Sequence, residues 1–330
     1  MRSVETIEVT SDDGVTRIDR WIRRRYPQLS QGQIEKLIRT GQVRVDGARV
    51  KASDRVEPGQ KVRIPPLPDP TPRPPDGMSG RDVDFVRSLV LHKDDDVIVL
   101  NKPAGLAVQG GAKTVRHLDA LLPGLKFDAE TRPKLVHRLD RDTSGCLVIA
   151  RHPRAAAFLG EAFRDRDTDK IYWAIVVGVP RPKIGELRSW MRKAPGLRDA
   201  DREMMVAAKQ TEAGAVHAVT QYATLSEAGQ RAAWVALRPV TGRTHQLRFH
   251  MAEFGYAIAG DGKYRCDRPI PNGLEKQLLL HARAIRLPHP SGGQLNVLAP
   301  LPQHMRDAFD LLGFIEREER DPYAPFEAAR

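Results

Sequence analysis

Residues 135 to 145 read LVHRLDRDTSG. Two apolar residues run into a turn in which His137, Arg138 and Arg141 stand beside the carboxylates Asp140 and Asp142, and then an apolar run resumes. Small polar residues and Gly145 permit a tight turn whose amides can orient a carboxylate, so the pattern predicts a strand end that presents Asp140 outward. A solvated turn with an internal ion pair is the plainest reading. Aspartyl phosphoryl transfer asks for Asp-x-Asp-x-Thr after four apolar residues, whereas Thr143 follows Asp142 at once. A kinase loop needs an Asn five beyond the Asp and a Gly-rich loop, and neither is present. Paired glycosidase carboxylates must flank one bond about 5 Å or more apart, which neighbours in a turn rarely do. The remaining chemistry is a single aspartate acting as nucleophile or electrostatic stabiliser, kept ionised by basic neighbours.

Working outward, apolar runs predict strands at 97–100, 147–150, 171–177 and 234–237. A helix is expected over 153–167, with Phe158, Leu159, Ala162 and Phe163 on one face, and a short one over 246–254. Strict βαβ alternation and a Gly-rich phosphate loop are absent, so the expected fold class is α+β, a mixed and largely antiparallel sheet with peripheral helices. Residues 65 to 77, PPLPDPTPRPPDG, carry seven prolines and predict an extended spacer. The boundaries expected are 1–64 for a small N-terminal domain, 65–81 for the linker and 82–330 for the large domain.

In the small domain, Ile18, Trp21 and Ile22 form an apolar stripe while Arg17, Arg20 and Arg23 to Arg25 occupy other angles, and Pro27 stops the helix. A second helix is expected from a Ser30 and Gln33 capping box, with Ile34, Leu37 and Ile38 inward and Gly41 as its C-cap. VRVDGARV predicts a hairpin at Asp46-Gly47, and PGQKVRI a further strand. The 330-residue chain carries a net charge of +11. Between Val15 and Ile64 there are 13 Lys or Arg against five Asp or Glu, so the excess is concentrated there and points to a polyanionic partner. Arg17, Arg20, Arg39 and Arg44 are the candidate contacts.

No apolar run reaches the roughly 20 residues of a membrane helix. The N-terminus lacks a basic start followed by an apolar stretch, which leads us to expect a cytoplasmic protein. Cys146 and Cys266 have no neighbouring Cys, against both a zinc ribbon and a disulfide framework. His245 and His250 read as core or RNA-contacting residues, so no metal is expected. Monomer is the default expectation.

The N-terminal residues Arg17-Ile18-Asp19, Ser30 and Arg39-Thr40-Gly41-Gln42-Val43 resemble the S4 RNA-binding domain (αααβ-like), with Gln31 where that family often has a basic residue. NKPAGLAVQGG at 101–111, HRLDRDTSG, KIYWA at 170–174, TGRTHQLRFH at 241–250 and LLLHA at 278–282 together resemble the RluA-type pseudouridine synthases. With the S4 domain they resemble the RluC-like branch acting on large-subunit (23S) ribosomal RNA. The resemblance implies an isomerase without cofactor that everts a uridine and rejoins its base through C5. It implies Asp140 as the catalytic carboxylate, with Arg243 pairing to it and lowering its pKa. Tyr172 would stack on uracil, with its hydroxyl taking part in removal of the C5 proton, and Leu280 would supply an apolar wall. Arg138 would occupy the vacated space or grip phosphates, while His137 shapes the turn and Asn101 and Lys102 serve as scaffold. Arg265 stands where the family usually has Gly. The alternatives are a non-enzymatic S4 assembly factor that binds ribosomal RNA, and the same chemistry on transfer RNA.

Overall fold

The computed structural model describes residues 4–26, 29, 31–67, 78–110, 116–165, 167–194, 204–274, 276–316 and 321–327. The Pro27 stop, the Ser30 cap, Gly111 and the proline-rich stretch from 68 to 77 lie outside them. The chain divides into two compact units between residues 77 and 78.

The first unit opens with β1 (Glu5–Glu8) and β2 (Thr16–Arg17), then α1 (Ile18–Arg25) and α2 (Gln31–Arg39). β3 (Arg44–Val45), β4 (Ala48–Arg49), β5 (Arg55–Val56) and β6 (Lys61–Ile64) follow. The expected stripes are buried: Ile18, Trp21 and Ile22 of α1 pack with Ile34 and Ile38 of α2 against Val43, Val45, Val56 and Val62. The hairpin turns at Asp46 and Gly47 with φ of 49° and 81°, both left-handed, which is the geometry an Asp-Gly pair favours. Leu67 is buried in this core, so the unit runs past residue 64.

The second unit begins before residue 82, because Ser79 caps α3 (Gly80–Ser88) by accepting the Asp82 N–H. β7 (Val90–Lys93), β8 (Val97–Lys102), α4 (Leu118–Leu121), β9 (Lys134–Leu135), β10 (Ser144–Ala150) and α5 (Pro153–Asp165) follow. Then come β11 (Asp169–Val177), β12 (Ile184–Lys193), β13 (Met205–Ala207), β14 (Val216–Ala228), β15 (Ala232–Pro239) and α6 (Gln246–Glu253). The described chain closes with β16 (Leu280–Pro288), β17 (Gln294–Leu298), α7 (Gln303–Leu312) and α8 (Ala324–Glu327).

The strands make one sheet in the order β13-β12-β14-β15-β11-β16-β10-β8-β7, with β17 on β16 and β9 on β10. Its pairings are antiparallel except β10 with β16, where Ser144 meets His281 and Gly145 meets Ala282. The mixed, mainly antiparallel expectation holds. On one face Trp173 and Trp234 pack against Met305 and Phe309 of α7. On the other, Ala174, Val235 and Leu237 cover Leu247 and Met251 of α6. In α5 the buried residues are Ala155, Leu159 and Ala162, while Phe158 is exposed, so the apolar face is narrower than the spacing predicts. Among the described residues no helix is long and apolar enough to cross a membrane.

Candidate active site

The turn before β10 is held from behind. Lys102, fully buried at the end of β8, donates from Nζ to the carbonyls of Pro103, Leu106 and Arg141, each at 2.9 Å. These three acceptors match the three donors of an ammonium. Burial nevertheless lowers its pKa to about 7. Gly105 N–H donates to the Arg141 carbonyl at 2.9 Å and Arg141 Nε returns a bond to the Gly105 carbonyl at 3.2 Å, so the NKPAG loop and the HRLDRD turn are tied twice more. Lys102 thus holds the turn from within the fold.

His137 also shapes the turn. Its Nε2 accepts the Val148 N–H at 2.8 Å and its ring stacks on Phe163 with centroids 4.3 Å apart. Burial pulls its pKa down to about 3, which keeps the ring neutral and able to accept. Gly145 has φ of 108°, and a Cβ there would lie 2.2 Å from the Ala282 carbonyl oxygen. Only glycine allows the parallel approach of β10 to β16 at this point.

Asp140, with its side chain 20% exposed, opens into a cleft of about 450 Å³. Arg138, Tyr172, Arg243 and Leu280 line the same cleft, so residues read from four separate motifs converge. Arg138 is exposed and Leu280 buried. Lys170 and Tyr172, two apart on β11, share the cleft-facing side of the pleat, and Arg164 of α5 lies near them. Burial, and then the charge of Asp140, push the Tyr172 hydroxyl well above the ordinary phenol range.

One sequence expectation is corrected. The guanidinium beside Asp140 belongs to Arg248, whose Nη1 is 3.7 Å from Oδ2, and not to Arg243. Arg243 instead donates from Nε to the His217 carbonyl at 3.1 Å, and its N–H donates to Gln246 Oε1. The reason lies in α6. His245 at its N-cap has φ of 53°, and every residue from Gln246 to Met251 is buried, so the chain turns inward immediately after Arg243. Arg248 is thereby carried into the interior, where Nε and Nη2 bind both oxygens of Asp261 at 2.7 Å. Burial works against its charge, but Asp261 and then Asp140 raise its pKa on balance. The sequence reading passed over both residues, although a buried arginine in an otherwise enclosed helix demands an acid nearby. His250 bonds Ser189 and Thr220, each at 2.8 Å, and behaves as a core histidine.

In the first unit, Arg20 and Arg39 are exposed. Arg17 is engaged by Asp19 at 2.6 Å, and Arg44 donates to the carbonyl of Gly47 within its own hairpin and to that of Gly41 just before it. Gln31 reaches toward Asp19 at 3.4 Å.

Residues 96–253 match the RNA pseudouridylate synthase family, and residues 16–62 match the S4 domain. The ribosomal large subunit pseudouridine synthase C of Rickettsia felis is 34% identical over 301 residues, covering 89% of this chain and 96% of that protein. The chain belongs to the RNA pseudouridine synthase family. This synthase is also 34% identical to the mitochondrial RNA pseudouridine synthase 4 of Arabidopsis thaliana, over 93% of its own length and 82% of that protein's. Among solved structures, the human RNA pseudouridylate synthase domain containing 4 covers 71% of the synthase and 97% of its own chain, with a TM-score of 0.59 and 30% identity.

Proposed function

We propose that this synthase isomerises specific uridines of 23S ribosomal RNA, with Asp140, Tyr172 and Arg248 as its working residues. In the reaction the bond from uracil N1 to ribose C1′ breaks, the base turns, and C5 bonds to C1′ while the C5 proton is lost and N1 gains one. Asp140 serves as nucleophile at C1′ or C6, or assists departure of the base through a glycal. The Tyr172 ring stacks on the everted uracil and Leu280 closes the apolar side. Eversion costs a few kcal/mol of stacking, which contacts in the cleft must offset, and Arg138 at the mouth is the residue to fill the vacated space or hold phosphate. Arg248 holds the Asp140 carboxylate in place; Arg243, assigned that duty on sequence, is left to the RNA.

The observation that carries this reading is a carboxylate on a rigid turn, in a nucleotide-sized cleft, flanked by a buried guanidinium and a tyrosine ring. The small domain supplies sequence-tolerant grip through Arg20 and Arg39 with Arg17 and Arg44 in support, and the large domain converts the base. We read the protein as a cytoplasmic monomer. Mapping pseudouridines in RNA from a deletion strain tests the proposal: specific 23S positions should revert to uridine, and loss confined to transfer RNA would overturn the choice of substrate. Tritium release from C5-labelled RNA by the pure protein tests the chemistry, and binding without release would leave only an RNA-binding factor.

A further inference from the structure

A second basin of about 430 Å³ lies beside the catalytic cleft, and Gly242, Arg243 and Thr244 line both. Its other walls include Arg192 and Lys193 at the end of β12, Met205 of β13 and Val216 at the start of β14. Cations and apolar side chains are therefore mixed in it. Arg192 is balanced by Glu212, whose Oε2 accepts from Nε at 2.8 Å while Lys209 N–H fixes Oε1 at 2.7 Å. Arg243 has no acidic partner among the described residues. Its Nε is used on the His217 carbonyl, which aims the guanidinium without neutralising it.

A nucleotide everted into the cleft brings a neutral base and sugar, and its only anions are the phosphodiesters on either side. A guanidinium on the ridge between two basins is placed to bind one of them in a fork, which an arginine does better than a lysine. The adjoining base, drawn off its own stack, then needs an apolar surface, and half-buried Val216 offers one, with buried Met205 packed behind it.

We propose that the second basin receives the nucleotide next to the everted uridine, and that Arg243 grips the phosphodiester joining the two. Arg243 is thus a positioning residue for the RNA, acting on KM and not on the chemical step. The inference rests on the synthase reading and deepens it.

The test uses the full-length protein and the shortest 23S hairpin it binds, synthesised unmodified, with a methylphosphonate on either side of the target uridine, and with an abasic neighbour on either side. One methylphosphonate, 5′ or 3′, should raise KM and Kd about tenfold with kcat within about twofold, and the abasic residue on that side should also weaken binding. Arg243→Gln should weaken the unmodified RNA by a similar factor and add nothing to that methylphosphonate, and Arg243→Lys should recover part of the loss. Effects that add fully, or a loss confined to kcat, would overturn the proposal. Should Arg243→Gln fold poorly, wild type alone decides: indifference to both methylphosphonates and both abasic neighbours removes the basin from RNA binding. Because Kd is read beside turnover, binding ratios that persist without conversion would sink the synthase reading and leave the basin standing, and conversion without those ratios would do the reverse.

Discussion

Arg248 meets Asp140 from the inside of the molecule, Nη1 standing 3.7 Å from Oδ2 while Nε and Nη2 are held by the carboxylate of Asp261. Asp261 is in turn fixed by the N–H groups of Lys263 and Tyr264, at 2.8 and 3.1 Å to Oδ1. The guanidinium therefore has its orientation set before any substrate arrives.

This arrangement separates two variants that should both stop turnover. Asp140→Asn keeps the shape of a partly exposed side chain, so activity should vanish while RNA affinity stays within a few fold and the melting temperature hardly moves. Arg248→Gln strands the buried Asp261 charge, at about 3–5 kcal/mol. In a unit of this size that corresponds to a melting temperature lower by roughly 10 °C. Scanning calorimetry beside tritium release reads both, and an unshifted Arg248→Gln melt would contradict the buried pair.

The raised pKa of Tyr172 fixes the form of its hydroxyl. With the group above its ordinary value of about 10, fewer than about one molecule in a thousand carries a phenolate at pH 7. If the neutral phenol is the working form, kcat should stay level from pH 7 to about 9.5 as far as this group governs it. A rate climbing tenfold per pH unit, and lost in Tyr172→Phe, would instead make the phenolate the base.

Three histidines, buried His250 and His281 and half-buried His137, are held in neutral form. Burial lowers the pKa of His137 and His281 to about 3 and of His250 to about 4. Below pH ~6.5 the unfolded chain takes up these protons and the native one does not, so stability falls as pH drops from there toward 4, by up to about 4 kcal/mol per unit for the three together. The larger unit should lose its fold near pH ~5. Circular dichroism across pH 4 to 8 measures this, and an intact spectrum at pH 4 would refute it.

Lys102 gives the opposite window. The unfolded lysine keeps its proton to about pH 10.4, whereas the native one releases it from about pH 7, so stability should rise between those values by up to ~1.4 kcal/mol per unit. Lys102→Met should remove that slope from the melting curves. It should also lower kcat, because the Arg141 carbonyl it frees is one residue from Asp140. A slope surviving in the variant would assign it to other groups.

Removing residues 1–75 should weaken RNA binding and flatten the dependence of log Kd on log salt, since each lost phosphate contact removes about 0.7–0.9 from the slope. The smaller unit has its own core, so the cut leaves the larger one whole. An unchanged slope would mean that Arg20 and Arg39 do not reach RNA.

Local signals carried the elements whose pattern is self-contained. The Asp46-Gly47 turn, the stripe of Ile18, Trp21 and Ile22, and the continuous apolar runs of β8, β10 and β11 were all legible. β12 and β14 were not, because neither has a continuous apolar run: β12 alternates exposed and half-buried positions and includes Glu186, Arg188 and Arg192, and most of β14 is half-buried. The pairing of β10 with β16 joins segments more than 130 residues apart and leaves no local trace but Gly145. At the site, the four motifs converge on one cleft, but the arginine beside Asp140 is Arg248 and not Arg243. Arg243 and Arg248 are five residues apart, α6 is buried from Gln246 to Met251 and shows no polar stripe there to sort them, and the deciding acid, Asp261, lies 13 positions beyond Arg248.

The ammonium caged behind the Asp140 turn ties that wall of the cleft to three carbonyls before any RNA arrives. Adaptation then falls to the other molecule. Among uridines that reach the cleft, those easiest to pull from their stacks should react first, so loops, bulges and transiently open helices would be favoured, and the choice of target would be written as much in RNA plasticity as in protein contacts.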